Sequence, residues 1–300
     1  MTAKASPALR NASADAARAG VRLIVLAGQH EGTRDTLSQR FAVSHRCLIP
    51  LGDRPLIAHV LHTGAQHPRI ESLSVCIERE AFDPAWDVLT QLPGRGAVAL
   101  VEAQTDLAAS VELAAQGWDG PLLITTADHA LLDRATIDAM LDTLDAQADV
   151  AFALAPREAV EAIDAGRQRH FLRLREGQFA PCDLYGVAGP QYLSPVSVFR
   201  GRRAGRHVGL RMLKALGMIG LLLSLFGLEP LSSALDRASR RFAMRIRAIV
   251  TADGSQAIDV GNDRSYAIVR DLLERRARDE RSAQDKLAPV EHVARVRAAG

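Results

Sequence analysis

In residues 21–28, Val21-Arg22-Leu23-Ile24-Val25-Leu26-Ala27-Gly28, a short β-rich run over 21–26 is followed by a loop that begins with an alanine and a glycine. Similar runs recur at 73–77 (LSVCI), 97–101 (AVALV), 121–125 (PLLIT) and 149–154 (DVAFAL). Between them, residues 55–66, 82–92, 105–116 and 133–146 place apolar side chains three and four apart, the spacing of a helix that buries one face. Asp53, Asp83, Thr105 and Asp133 stand where N-caps are expected. Nearly continuous apolar strands separated by single helices imply a mostly parallel sheet covered on both faces, since a strand without a polar side must be buried twice. Residues 20–155 therefore predict an α/β fold of three layers, αβα.

After residue 155 the rhythm changes. An Arg-rich stretch (157–178) leads into an irregular segment (179–200), then helices are expected at 207–226 and 229–241, β-like runs at 244–250 and 256–260, and an amphipathic helix from Asp263 to Arg278. The second half thus inserts helices, over about 189–243, and then adds strands to a mixed sheet in one domain spanning 21–278. Residues 1–20 are rich in Ala, Ser and Arg and have no apolar core, so they read as a flexible leader and not a secretory signal. Residues 279–300 read as a charged tail.

Composition narrows the function classes. The chain has 300 residues, with Lys+Arg 37 against Asp+Glu 35, a balance too even for general affinity to nucleic acid. Aromatic residues at 4% leave little for base stacking. Cys47, Cys76 and Cys182 are odd in number, far apart and free of any C-x-x-C pairing, so neither a disulfide framework nor a zinc knuckle is indicated and a reducing cytoplasm fits best. The apolar run Ala215 to Leu228 carries three glycines and falls short of the ~20 residues that span a bilayer, so it reads as a buried helix. Beside Arg211 and Lys214, weak peripheral contact with a membrane surface is the secondary reading.

In parallel α/β sheets ligands sit at the carboxyl ends of the strands, so the residues just after each strand come first. Leu26-Ala27-Gly28-Gln29-His30-Glu31-Gly32-Thr33-Arg34 leaves the first strand with two glycines and an arginine. Glycines let backbone N–H groups approach phosphate oxygens, and arginine can grip them bidentately. A tight turn is the plainer alternative, and neither the dinucleotide fingerprint nor the P-loop spacing is present.

With His45-Arg46-Cys47-Leu48-Ile49-Pro50-Leu51-Gly52-Asp53-Arg54-Pro55-Leu56 the pattern resembles the nucleotidyltransferase superfamily, which includes sugar-phosphate nucleotidyltransferases and molybdenum-cofactor guanylyltransferase-like NTP transferases. The family form is L-A-G-G-x-G-x-R followed by K-x-L-x-x-x-x-G-x-P-L/M. The resemblance implies a Rossmann-like, GT-A-type domain that binds nucleotide through Leu26, Ala27, Gly28, Gly32, Arg34 and Arg46, the last standing where the family has lysine. It also places Ser110 near the nucleotide base, with helix filler as the alternative.

Thr125-Thr126-Ala127-Asp128-His129 resembles the family's metal motif, which implies Mg²⁺ on Asp128, and Asp133 already offers the cap for the next helix. Ala257-Ile258-Asp259-Val260-Gly261-Asn262-Asp263 resembles its late D-x-D-x-P-x-D element, which implies a second ligand in Asp259 and leaves Asp263 to cap the last helix. Arg34, Arg46 and Asp128 are the implied catalytic residues. His59 and His62 lie one turn apart but lack further ligands for a metal site. The basic stretch Arg200 to His207 reads equally as an acceptor-phosphate site or a solvated turn.

The resemblance implies transfer of an NMP group from an NTP to a phosphorylated sugar, polyol or headgroup acceptor with release of pyrophosphate. Two rival classes remain: a nucleotide-sugar glycosyltransferase, and a non-catalytic nucleotide-binding regulator.

Overall fold

The computed structural model describes residues 20–29, 35–93, 97–165, 171–193 and 229–287. In chain order the elements are β1 (Val21–Leu26), α1 (Thr36–Arg40), a 3₁₀ turn (Arg46–Leu48), β2 (Pro50–Leu51), β3 (Arg54–Pro55), α2 (Leu56–Gln66), β4 (Ile70–Ile77), α3 (Phe82–Leu89), β5 (Ala97–Glu102) and α4 (Leu107–Ala114). Then follow β6 (Leu122–Thr126), α5 (Arg134–Asp145), β7 (Val150–Pro156), α6 (Arg157–Ile163), β8 (Leu172–Leu174), β9 (Gly177–Val187), α7 (Leu231–Phe242), β10 (Ile246–Val250), a 3₁₀ turn (Gly254–Ala257) and α8 (Asp263–Leu287).

The main sheet runs β10-β7-β9-β6-β1-β4-β5, with β8 paired to β9. β1 is parallel to β4 and β6, β4 to β5, and β10 to β7, whereas β9 lies antiparallel between β6 and β7. β1 shows why the fold needs three layers. Val21, Leu23 and Val25 pack on one side with Val60 of α2 and Met140 of α5, while Ile24 packs on the other with Val111 of α4. Successive side chains of a strand point to opposite faces, so an all-apolar strand requires helices on both.

Differences from the sequence reading have local causes. Residues 179–187 belong to a long strand, although Pro181 and the left-handed Asp183 (φ 46°) disguise it. Residues 256–260 form no strand; they begin in the 3₁₀ turn Gly254–Ala257. Asp53 does not cap α2, whose N-cap is Pro55; it sits with the left-handed Gly52 (φ 69°) in the turn between β2 and β3. α3 has Ala81 at its N-cap, and Asp106 rather than Thr105 caps α4. Asn262 rather than Asp263 caps α8, its Oδ1 accepting from the Ser265 N–H at 3.0 Å. α8 also runs on to Leu287, into the stretch read as a tail. The expected helix at 207–226, the apolar run and the basic stretch all lie outside the described residues. Among the described residues no helix is long and apolar enough to cross a membrane.

A third apolar cluster matters most for function. Leu37, Ile49, Leu51, Leu131, Ile258 and Val260 join α1, the segment before α2, the loop after β6 and the segment before α8. Burying each large side chain contributes about 1.5–3 kcal/mol, enough to hold these strand-end segments together.

Candidate active site

The carboxyl ends of β1, β4, β5 and β6 open on one edge of the sheet, as parallel pairing requires. The loop leaving β1 is pinned at its start: Ala27 N–H donates to the Cys76 carbonyl (2.8 Å), and Ala127 N–H donates to the Leu26 carbonyl (2.9 Å). Gly28 follows, exposed and tightly bounded. A Cβ there would stand 3.0 Å from the Ala103 Cβ and 3.2 Å from Glu78 Oε1, so the loop passes close to the ends of β4 and β5 and a larger residue would make those side chains give way. The next N–H, on Gln29, donates to Glu78 Oε1 at 2.5 Å. Gly32 and Arg34 lie outside the described residues.

Glu78 was not singled out in the sequence, since a carboxylate one residue past a strand carries no motif. Its Oε2 lies 3.4 Å from His45 Nε2, and its charge adds to burial in pushing the Cys47 thiol up to about 12. Ser110 is buried on α4. Its hydroxyl accepts from the Gln104 N–H (2.8 Å) and donates to the Asp106 carbonyl (3.2 Å), which makes it the fastener of the loop between β5 and α4.

Asp128 stands two residues past β6, its side chain 24% exposed. Asp133 caps α5 by accepting the Thr136 N–H at 2.8 Å, leaving Asp128 with no capping duty. The Val260 N–H donates to the Asp128 carbonyl (3.1 Å) and brings Asp259 alongside. Burial and then the charge of Asp259 raise the Asp128 carboxyl above its ordinary value, against the opposing pull of the Thr126 hydroxyl and Arg46. Next to it, burial lowers the His129 imidazole to about 4, so it is neutral at pH 7, with Nδ1 3.1 Å from the Thr125 hydroxyl.

Arg46 opens the 3₁₀ turn before β2. Its Nη1 lies 3.9 Å from Asp128 Oδ2, while Nε and Nη2 donate to the two oxygens of Asp35 at 3.0 and 3.1 Å. Hydrogen bonding to Asp35 raises the Arg46 pKa, with further support from Asp128 and Asp259. The structure thus brings Arg46, Asp128 and Asp259 together near the Gly28 loop. His59, by contrast, spends Nε2 on the Leu51 carbonyl (2.8 Å).

The donor set suits a hard cation. Among the described residues no group of three or more His, Cys, Asp or Glu side chains is arranged to hold a metal. Two adjacent carboxylates leave most of a coordination shell to water and substrate phosphates, which is the manner of Mg²⁺. The mutual repulsion that raises Asp128 is what such a cation relieves.

A family model described as MobA-like NTP transferase domain matches residues 23–214. Among solved structures, a hypothetical transferase from Thermus thermophilus is similar at a TM-score of 0.64 and 24% identity, over 83% of this chain and 99% of that one. A 4-diphosphocytidyl-2C-methyl-D-erythritol synthase from Anaerococcus prevotii is similar at a TM-score of 0.56 and 11% identity, over 88% of this chain and 99% of that one. No curated protein matches the chain. The matched residues hold Gly28, Arg46 and Asp128 but stop short of Asp259. They nonetheless cover well over half of the sequence, and on that span the chain belongs to the MobA-like NTP transferase family and is a nucleotidyltransferase.

Proposed function

We propose that the protein transfers an NMP group from an NTP to the phosphate of a sugar, polyol or lipid headgroup, releases pyrophosphate and uses Mg²⁺. The observation that carries this reading is the meeting of Asp128 and Asp259, with Arg46 Nη1 3.9 Å from Asp128, at the edge where the Gly28 loop emerges. The name of the Anaerococcus prevotii neighbour, with its diphosphocytidyl group, supports the same linkage chemistry.

In the reaction an acceptor phosphate oxygen bonds to the α-phosphorus while the bond from that phosphorus to the β-phosphate oxygen breaks. The acceptor is anionic near pH 7, so no protein base is needed, and positioning and charge stabilisation dominate. Asp128 and Asp259 would hold the cation, which would supply charge neutralisation to the triphosphate and to the departing pyrophosphate. Arg46 offers Nη1 to the phosphates, and the Gly28 loop admits them close to the backbone. By the family resemblance, Gly32 and Arg34 would take part in the same phosphate contacts.

A pyrophosphate-release screen tests this, with four NTPs against sugar, polyol and alcohol phosphates in the presence of Mg²⁺. Pyrophosphate formed in step with an NDP-linked product is the expected result. Consumption of a nucleotide sugar without pyrophosphate would make the protein a glycosyltransferase. Tight NTP binding without turnover would make it a regulator.

A further inference from the structure

Arginine and lysine differ in shape: one is a planar fork, the other a point charge. Arg46 does not aim its fork at the site. Nε and Nη2, the edge that suits a carboxylate or phosphate bidentately, are spent on Asp35, and only Nη1 faces Asp128. Asp35 is itself fixed. Its side chain is 8% exposed, accepts from the Ser38 hydroxyl (2.5 Å) and the Leu37 N–H (3.3 Å), and caps α1. Burial opposes its charge, yet the hydrogen bonds from Arg46 and Ser38 outweigh that and hold its carboxyl below the ordinary value.

We propose that Asp35 is a positioning residue for nucleotidyl transfer, one that grips Arg46 by its fork and presents Nη1 to the substrate phosphates as a single-point cation. The inference rests on the reading of Arg46 as a phosphate contact. It makes the arginine and the aspartate a unit. A lysine at 46 would have one ammonium for two tasks, and the ionised Asp35 would capture it.

The test is a double-mutant cycle in the pyrophosphate-release assay, using Asp35→Asn, Arg46→Lys and the pair combined. Asn retains a capping oxygen, so thermal unfolding should move by only a few degrees. Asp35→Asn should lower kcat about tenfold through loss of orientation, with a smaller change in KM for NTP. Arg46→Lys should cost about 100-fold or more, and adding Asp35→Asn should restore at least tenfold of that loss. Additive losses, or an unchanged kcat in Asp35→Asn, would overturn the proposal. Should the Asn variant not fold, Asp35→Ser keeps a cap and serves in its place. The Arg46 Nε–H signal in an ¹⁵N spectrum gives a readout independent of turnover. It should exchange slowly in the parent and fast in Asp35→Asn, and fast exchange in both would refute the grip itself. A parent enzyme without turnover would instead refute the transferase reading, and leave this spectrum to judge the pairing.

Discussion

The Val260 N–H donates to the Asp128 carbonyl at 3.1 Å, a main-chain bond that ties the segment of Asp259 to the loop of Asp128. Two like charges are held together by a bond that neither charge makes.

Asp128→Asn should therefore separate stability from activity. The native carboxyl is raised by burial and by Asp259. A raised acid contributes stability below its ordinary range and forfeits it as pH climbs through the raised value. Thermal scans should show the variant melting at or above the parent at pH 8, with a smaller difference at pH 4, while turnover falls about 100-fold or more. A lower melting point at pH 8 would mean that the carboxylate supports the fold.

Gly254→Ala should damage the site from a distance. A Cβ there would lie 2.1 Å from the Ala159 carbonyl oxygen and 2.5 Å from the Val160 nitrogen, backbone atoms of α6 that cannot turn aside. The 3₁₀ turn leading to Asp259 would have to move. A loss of about 2–3 kcal/mol in urea unfolding is expected, together with reduced turnover. Unfolding like the parent's would show that α6 yields.

Asp149 gives the opposite pH signature to Asp128. Burial works against its charge, but it accepts from the Arg245 N–H (2.7 Å), Nε (3.2 Å) and Nη2 (2.7 Å), and its carboxyl falls below the ordinary value. A depressed acid contributes stability above its ordinary range and loses it as pH falls through the depressed value. Asp149→Asn should cost about 1–2 kcal/mol at pH 7, and the gap from the parent should close on acidification. A gap that ignores pH would assign the effect to packing.

The thiols should be silent in the folded protein. All three cysteines are buried, and burial pushes Cys47 and Cys76 up to about 12. Ellman's reagent at pH 8 should report almost no thiol until denaturant is added, then three per chain. Rapid reaction of the native protein would show that the region around Cys47 opens.

β1, β5, β6 and β7 were legible because they are short, mainly apolar runs: they lie within two residues of their expected limits. β9 was hidden by Pro181 and by residues whose strand character comes from neighbours on both sides rather than from their own pattern. At the candidate site, resemblance singles out Asp128 and Asp259, whereas their adjacency depends on a backbone contact between distant segments. Asp35 carries no motif in the sequence; its partner Arg46 is reached through a fold of the chain that no local period encodes.

The apolar cluster that unites Leu37, Ile49 and Leu131 with Ile258 and Val260 also sets an order of events during synthesis. A nascent chain that has emerged through α5 carries Gly28, Arg46 and Asp128 but neither the second carboxylate nor the apolar cover that arrives with it. Such an intermediate displays apolar surface and only part of the proposed site. A chain that ends before residue 258 therefore leaves Leu37, Ile49 and Leu131 without the cover that Ile258 and Val260 provide.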